Sequence, residues 1–153
     1  MAHVIDKDLG WKKIKAQILI AQSLEVAVGI LEGEKNPEDG ASIAEYATYN
    51  EFGTEHIPSR PFMAMSFEEN VAEIGKDFDQ QGWRMEQGKI TARQALTVIG
   101  MKHAARIQNV ITGRNITPKL ADSTIAAKKG STKTLVDTGA MTNAVQISIR
   151  DRT

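Results

Sequence analysis

The stretch Leu24-Glu-Val-Ala-Val-Gly-Ile30 decides how the chain is read. Leu24, Val26, Val28 and Ile30 fall on one side at a period of two, the alternation of a half-buried strand. The far end of the chain carries the same pattern: in Ala144-Val-Gln-Ile-Ser-Ile-Arg150, the residues Val145, Ile147 and Ile149 share a face. Nearly everything else has helical spacing. Upstream, a helix is expected from near Asp6, with Trp11, Ile14, Ile18 and Ala21 on one face. Two strands this far apart need partners, and Thr134-Leu-Val136 is the third candidate strand. The expected fold is therefore α+β: a small, mostly antiparallel sheet packed with long amphipathic helices.

Downstream of the first strand, Asn36-Pro-Glu-Asp-Gly40 is a turn cluster. Ser42-Ile-Ala-Glu45 predicts a capping box, in which the hydroxyl accepts from the N3 amide and the glutamate reaches back. The short helix it opens should end at Phe52, with Gly53 as a left-handed cap. In Ile57-Pro-Ser-Arg-Pro-Phe62 the two prolines fix φ and bias their predecessors to extended geometry, so the segment is a stiff elbow. Arg60, between them, needs a carboxylate or backbone-carbonyl partner if it is buried. The long helix that follows places Met63, Phe67, Val71, Ile74, Phe78 and Met85 on one stripe, with acids on the other side, and Met63 and Met65 beside Phe62 and Phe67 are most simply core or subunit contact. It should break near Gly88-Lys-Ile90. Thr91-Ala-Arg-Gln94 is a second capping box, opening a helix that buries Leu96, Ile99, Ile107, Val110 and Ile111 and ends near Gly113. Residues 114–133 read as a mobile polar loop with a short helical stretch at 123–129.

The chain has 153 residues, 41% hydrophobic and 25% charged, which fits one globular domain. Lys+Arg and Asp+Glu both number 19, so the basic excess of a dedicated nucleic-acid binder is absent. With no cysteine there is no disulfide, thiolate zinc site or cysteine nucleophile. No apolar run approaches a membrane span, and Met1–Lys13 lacks the apolar core of a secretion signal. A soluble chain made in a cytoplasm is expected.

Leu135-Val-Asp-Thr-Gly-Ala140 has the form of an aspartic-protease catalytic segment, in which two such aspartates share a proton. That chemistry requires β-rich flanks, and this chain reads as mostly helical. The competing reading of Asp137 is structural: Asp137 or Thr138 caps a turn and Gly139 permits a tight bend. His3, His56 and His103 have no ligand-spaced partner. His103 falls between Ile99 and Ile107, as a core histidine with its ring N–H satisfied would. Lys129-Gly-Ser-Thr-Lys-Thr134 lacks the spacing of a phosphate loop. A DNA-binding or packaging accessory using the basic segment Arg114–Lys133 is a third reading, disfavoured by the neutral total charge.

Several pieces occur together in one order: Val26-x-Val-Gly-Ile-Leu-Glu-Gly33, Ala44-x-x-Ala47, Asn50-Glu-Phe-Gly-Thr54, Ile57-Pro-Ser-Arg-Pro-Phe62, then Lys128-Lys-Gly130 and Lys133-x-Leu-Val-Asp-Thr-Gly-x-Met141. This combination, running from about Val26 to Ile149, resembles the tail-completion or neck proteins of tailed phages related to the lambda minor tail protein Z. The resemblance implies a virion structural protein at the head–tail junction, made in the host bacterial cytoplasm. It implies a sixfold homo-oligomeric ring that contacts neighbouring neck or connector and tail-tube proteins. It also allows non-specific contact with DNA in the lumen. A tail terminator or head-closure ring is the near alternative. No enzyme activity, cofactor, metal or membrane contact is expected.

Charge patterning suggests how subunits would meet. From Glu68 to Glu86 there are six acids against Lys76 and Arg84; from Arg114 to Lys133 there are five bases against Asp122. Two readings stand side by side: two unrelated solvated surfaces, or a head-to-tail contact in which Lys128, Lys129 and Lys133 face Glu69 and Glu73 of a neighbour, with Met65 and Trp83 as apolar anchors and Arg60 as a further contact.

Overall fold

The computed structural model describes residues 8–31, 33, 35–36, 40–113, 116–119, 135 and 139–152. Among the described residues the elements run α1 (Trp11–Ser23), β1 (Leu24–Ile30), α2 (Ile43–Phe52), α3 (Phe62–Glu86), α4 (Ala92–Gly113), α5 (Ala140–Asn143) and β2 (Val145–Asp151). The fold is α+β. The first helix begins at Trp11 rather than near Asp6: Gly10, at φ 109°, and the turn at Asp8, whose carboxylate accepts from Gly10 N, precede it. His3 and the helical stretch at 123–129 lie outside the described residues, as do Thr134 and Val136.

β1 and β2 form a two-stranded antiparallel sheet, in register from Leu24 opposite Asp151 to Ile30 opposite Val145. The two predicted strands pair with each other directly. Leu135, of the proposed third strand, sits at a bend with its side chain in the core. One face of the sheet is covered by α4, which approaches most closely at Gly100: a Cβ there would lie 2.8 Å from Val26 Cγ2 and 3.2 Å from Ile147 Cγ2. The main core gathers Ile43 and Ala47 of α2, Phe62 of α3, Ile107, Val110 and Ile111 of α4, and Met141, Ala144 and Val145 around α5.

Both capping sequences act at helix starts. Ser42 Oγ accepts from Glu45 N, although the Glu45 carboxylate turns outward to the Tyr49 hydroxyl instead of back. The Thr91–Gln94 pair is reciprocal: Thr91 Oγ1 accepts from Gln94 N at 3.3 Å and Gln94 Oε1 accepts from Thr91 N at 2.9 Å. Helix α3 has no such residue, since Pro61 precedes it. Its free N–H groups at Met63 and Ala64 are instead taken, at 2.9 Å each, by the two carboxylate oxygens of the buried Glu51. A carboxylate at a helix N-terminus is favoured by the helix dipole as well as by the hydrogen bonds.

Glu51 thereby ties the Asn50-Glu-Phe-Gly-Thr54 segment to the elbow. Arg60 N donates to Asn50 O, Ser59 Oγ donates to Glu51 O, and Thr54 N donates to Ile57 O. Gly53 has the positive φ expected, 77°, but a ψ of 172° in place of a left-handed value, because the chain leaves α2 directly into the elbow. A Cβ at Gly53 would lie 2.8 Å from Ser59 N. Glu51→Ala should cost about 2 kcal/mol in chemical denaturation, the upper end for a lost helix cap, because the capped groups are shielded from water. Glu51→Gln keeps one acceptor and should lose less.

Candidate interaction surface

Helix α3 turns only part of its apolar stripe inward: Met63 packs against the core, and Ile74 and Met85 are half-buried. The residues it buries are Phe62, Ser66, Asp77 and Gln81. Phe67, Val71 and Phe78 are 50%, 54% and 48% exposed. Of the two readings open to this stripe, core or subunit contact, Phe67, Val71 and Phe78 are left outside the core, and the reason lies on α4. Asp77 Oδ1 and Oδ2 each accept a 2.6 Å hydrogen bond, from Lys102 Nζ and Arg106 Nη2. These bonds hold the polar face of α3 inward and rotate Phe67, Val71 and Phe78 out. Burial pushes the Asp77 pKa up, but the hydrogen bonds and charges of Lys102 and Arg106 outweigh it and leave the carboxyl below its ordinary value.

The exposed stripe continues into a groove between α3, α2, α4 and β1. The groove encloses about 450 Å³ and is lined by Val28, Ile30, Phe52, Met63, Phe67 and His103, among others. Phe52, at its edge, is 77% exposed. Glu51 is among its lining residues, and Glu45 and Glu68, which directly follow the lining residues Ala44 and Phe67, are exposed, as is Glu55 in the loop after α2. His103 is half-buried at the groove wall, with its ring edge-on to Phe67 at 6.3 Å. Its Nδ1 is buried without a hydrogen-bond partner among the described residues, against the expectation of a satisfied ring N–H. Burial first, and then the Arg106 charge, hold its pKa below the usual histidine value, so the neutral ring is favoured.

The other predicted contact residues are dispersed. Arg60 is buried and Nε donates to Pro118 O at 2.9 Å, the backbone-carbonyl partner expected of it. It holds the elbow against the segment after α4 and is not at a surface. Met65 is half-buried against the core. Trp83 is exposed, with Lys89 Nζ 4.8 Å from its ring centre. Glu69 and Glu73 are exposed on α3, and Glu73 pairs with Lys76 on the same helix. Asp137, Lys128, Lys129 and Lys133 lie outside the described residues. His56 is exposed. Among the described residues no three His, Asp or Glu side chains converge as a metal site, and no helix is long and apolar enough to cross a membrane.

The periodicity reading missed a second surface on α1. Ile14, Gln17, Ile18 and Ala21 are its half-buried side, and Gln17 Oε1 accepts from Ala92 N at the start of α4. Trp11, assigned to that side, is 65% exposed and heads an outward row with Lys15 and Leu19. The signal was present in the composition of the helix: Lys12, Lys13 and Lys15 with no acid from Trp11 to Ser23. No protein-family model, no curated protein and no solved structure matches this chain.

Proposed function

We propose that this chain is a structural component of a phage virion at the head–tail junction, a tail-completion or neck subunit that works through its surfaces. The ordered motifs from Val26 to Ile149 suggest the class. The observation that carries the reading is the outward apolar face of α3, with Phe67, Val71 and Phe78 exposed beside the groove that Phe67 lines. Contiguous exposed apolar surface of this kind marks contact sites, since monomeric soluble proteins expose little of it.

The motif residues support the same reading. Glu51, Gly53 and Ser59 join α2 to α3, and the Arg60 side chain ties the same elbow to Pro118 after α4. Such a joint fixes the direction of α3 relative to the sheet and so presents its outer face at a fixed angle. A subunit that must seat between rigid neighbours requires that, because preorganised surfaces lose less entropy on binding.

The test is made on particles. Mass spectrometry of purified virions should find the chain, and labelled antibody should locate it at the neck. A phage with the reading frame disrupted should accumulate filled heads and separate tails. Joined, infectious particles lacking the chain would refute the assignment.

A further inference from the structure

The two exposed apolar surfaces carry opposite charge and lie at opposite ends of the subunit. Residues 43–75, which supply the α2 and α3 lining of the groove, contain six carboxylates (Glu45, Glu51, Glu55, Glu68, Glu69, Glu73) against Arg60 alone among the basic Lys and Arg. At the α1 end, residues 8–23 and 84–94 contain six bases (Lys12, Lys13, Lys15, Arg84, Lys89, Arg93) against Asp8 and Glu86. Ile14 and Gln17 of α1 share a cleft with Met85 at the end of α3, whereas Phe67 lines the groove near its start. At 1.5 Å per residue those two positions on α3 are about 27 Å apart. β1 runs between the same two ends, about 23 Å at ~3.3 Å per residue. One subunit therefore cannot lay its own α1 face on its own groove.

From this we infer that the outer face of α1, carrying Trp11, Lys12, Lys15 and Leu19, docks in the acidic groove between α2 and α3 of a second copy of this chain. The groove is lined by Phe52, Met63 and Phe67, and the exposed Glu45 and Glu68 each directly follow a lining residue, Ala44 and Phe67. The outer row of α1 has the matching layout: Trp11, Lys15 and Leu19 at i, i+4 and i+8 make one apolar ridge interrupted by lysine. An amphipathic helix laid into an apolar groove is a recurrent mode of recognition. The apolar anchors supply most of the affinity, and the charges set register and association rate. Because the two patches are different and far apart, the contact is heterologous. Each copy keeps one free groove and one free α1 face, so repetition closes into a ring when the rotation allows and otherwise gives an open chain.

This inference names the partner of the surface on which the adaptor reading rests. It can fail while the virion assignment stands, and it can hold for a protein found nowhere near a phage neck. The test uses the full-length chain and two charge-reversed variants, each checked by circular dichroism and thermal melting for native folding. One is Lys12→Glu with Lys15→Glu; the other is Glu45→Lys with Glu68→Lys. All four positions are exposed. Sedimentation velocity at low ionic strength should show wild type as an oligomer that weakens as salt is added. Each folded variant alone should run as a monomer, because the reversed pair of side chains and the pair it is meant to meet then carry the same sign. An equimolar mixture should assemble again, since the acidic pair on α1 of the first variant then meets the basic pair at the groove of the second, and the basic pair on α1 of the second meets the acidic pair at the groove of the first. Wild type that stays monomeric at its highest soluble concentration overturns the inference. So does assembly of either folded variant alone to the wild-type size, or a mixture that stays monomeric.

Discussion

Asp77→Ala should lower the unfolding free energy by about 3 kcal/mol, the low end for breaking a buried ion pair. The low end applies because Lys102 is 42% exposed and can turn to water, whereas Arg106 is largely covered and already has one nitrogen, Nη1, buried without a partner among the described residues. Urea denaturation of wild type and variant measures the difference. A triple replacement with Asp77→Leu, Lys102→Met and Arg106→Met should recover most of the loss, because apolar groups of similar volume remove the desolvation cost along with the pairing. The pH dependence follows with a definite sign. The folded-state pKa of Asp77 is depressed, so its stabilisation is complete above the ordinary value of 3.8 and is lost as pH falls through the lower folded value. The acid limb of the wild-type stability profile should therefore be shallower in Asp77→Ala.

Gly100→Val should cost about 3 kcal/mol or more, from overpacking where α4 crosses the sheet. The methyls in the way, on Val26 and Ile147, belong to β-branched side chains with one preferred rotamer each, so they yield only if a strand moves. Gly100→Ala sets a gain in helix propensity of about 1 kcal/mol against part of that clash and should come out mildly destabilising. Adding Val26→Ala to Gly100→Ala removes the nearest methyl. The two changes should then be less costly together than their sum, a coupling that thermal melts of the full mutant cycle would read.

The elements legible in the sequence are those with local causes. The alternation in Leu24–Ile30 and Val145–Ile149 became the two strands. Ser42 and Thr91 mark the starts of α2 and α4 because a cap acts within three residues. The inward face of α3 was not legible, and the failure is physical. The spacing of Phe67, Val71 and Phe78 defines a stripe but does not say whether the subunit's own core or a neighbour covers it. The competing pull comes from Lys102 and Arg106, 25 and 29 positions after Asp77, which no helical period can connect. Arg60 was expected to find a carboxylate or a backbone carbonyl and has the second, but Pro118 is 58 positions away, and its part in an interior joint could be read only from the fold. For the candidate surface, the acidity of α3 was visible, while the basic face of α1 was passed over because Trp11 was assigned inward.

The pairing of β1 with β2 has a consequence in time as well as space. The partners are well over a hundred positions apart, from Leu24 with Asp151 to Ile30 with Val145. Such high contact order makes the sheet a late event in folding, after the local α3–α4 hairpin. During synthesis the first strand leaves the ribosome long before the second exists. At translation rates of about 5–20 residues per second, the wait is roughly 6–25 s. Throughout it, β1 has both hydrogen-bonding edges bare, and Gly100, which would seat α4 over it, is still to come for much of that interval. Neighbouring nascent chains on one message are then each other's nearest strand donors. The misassembly this topology favours is therefore an exchange of β2 between copies, and slow, dilute expression is the condition that suppresses it.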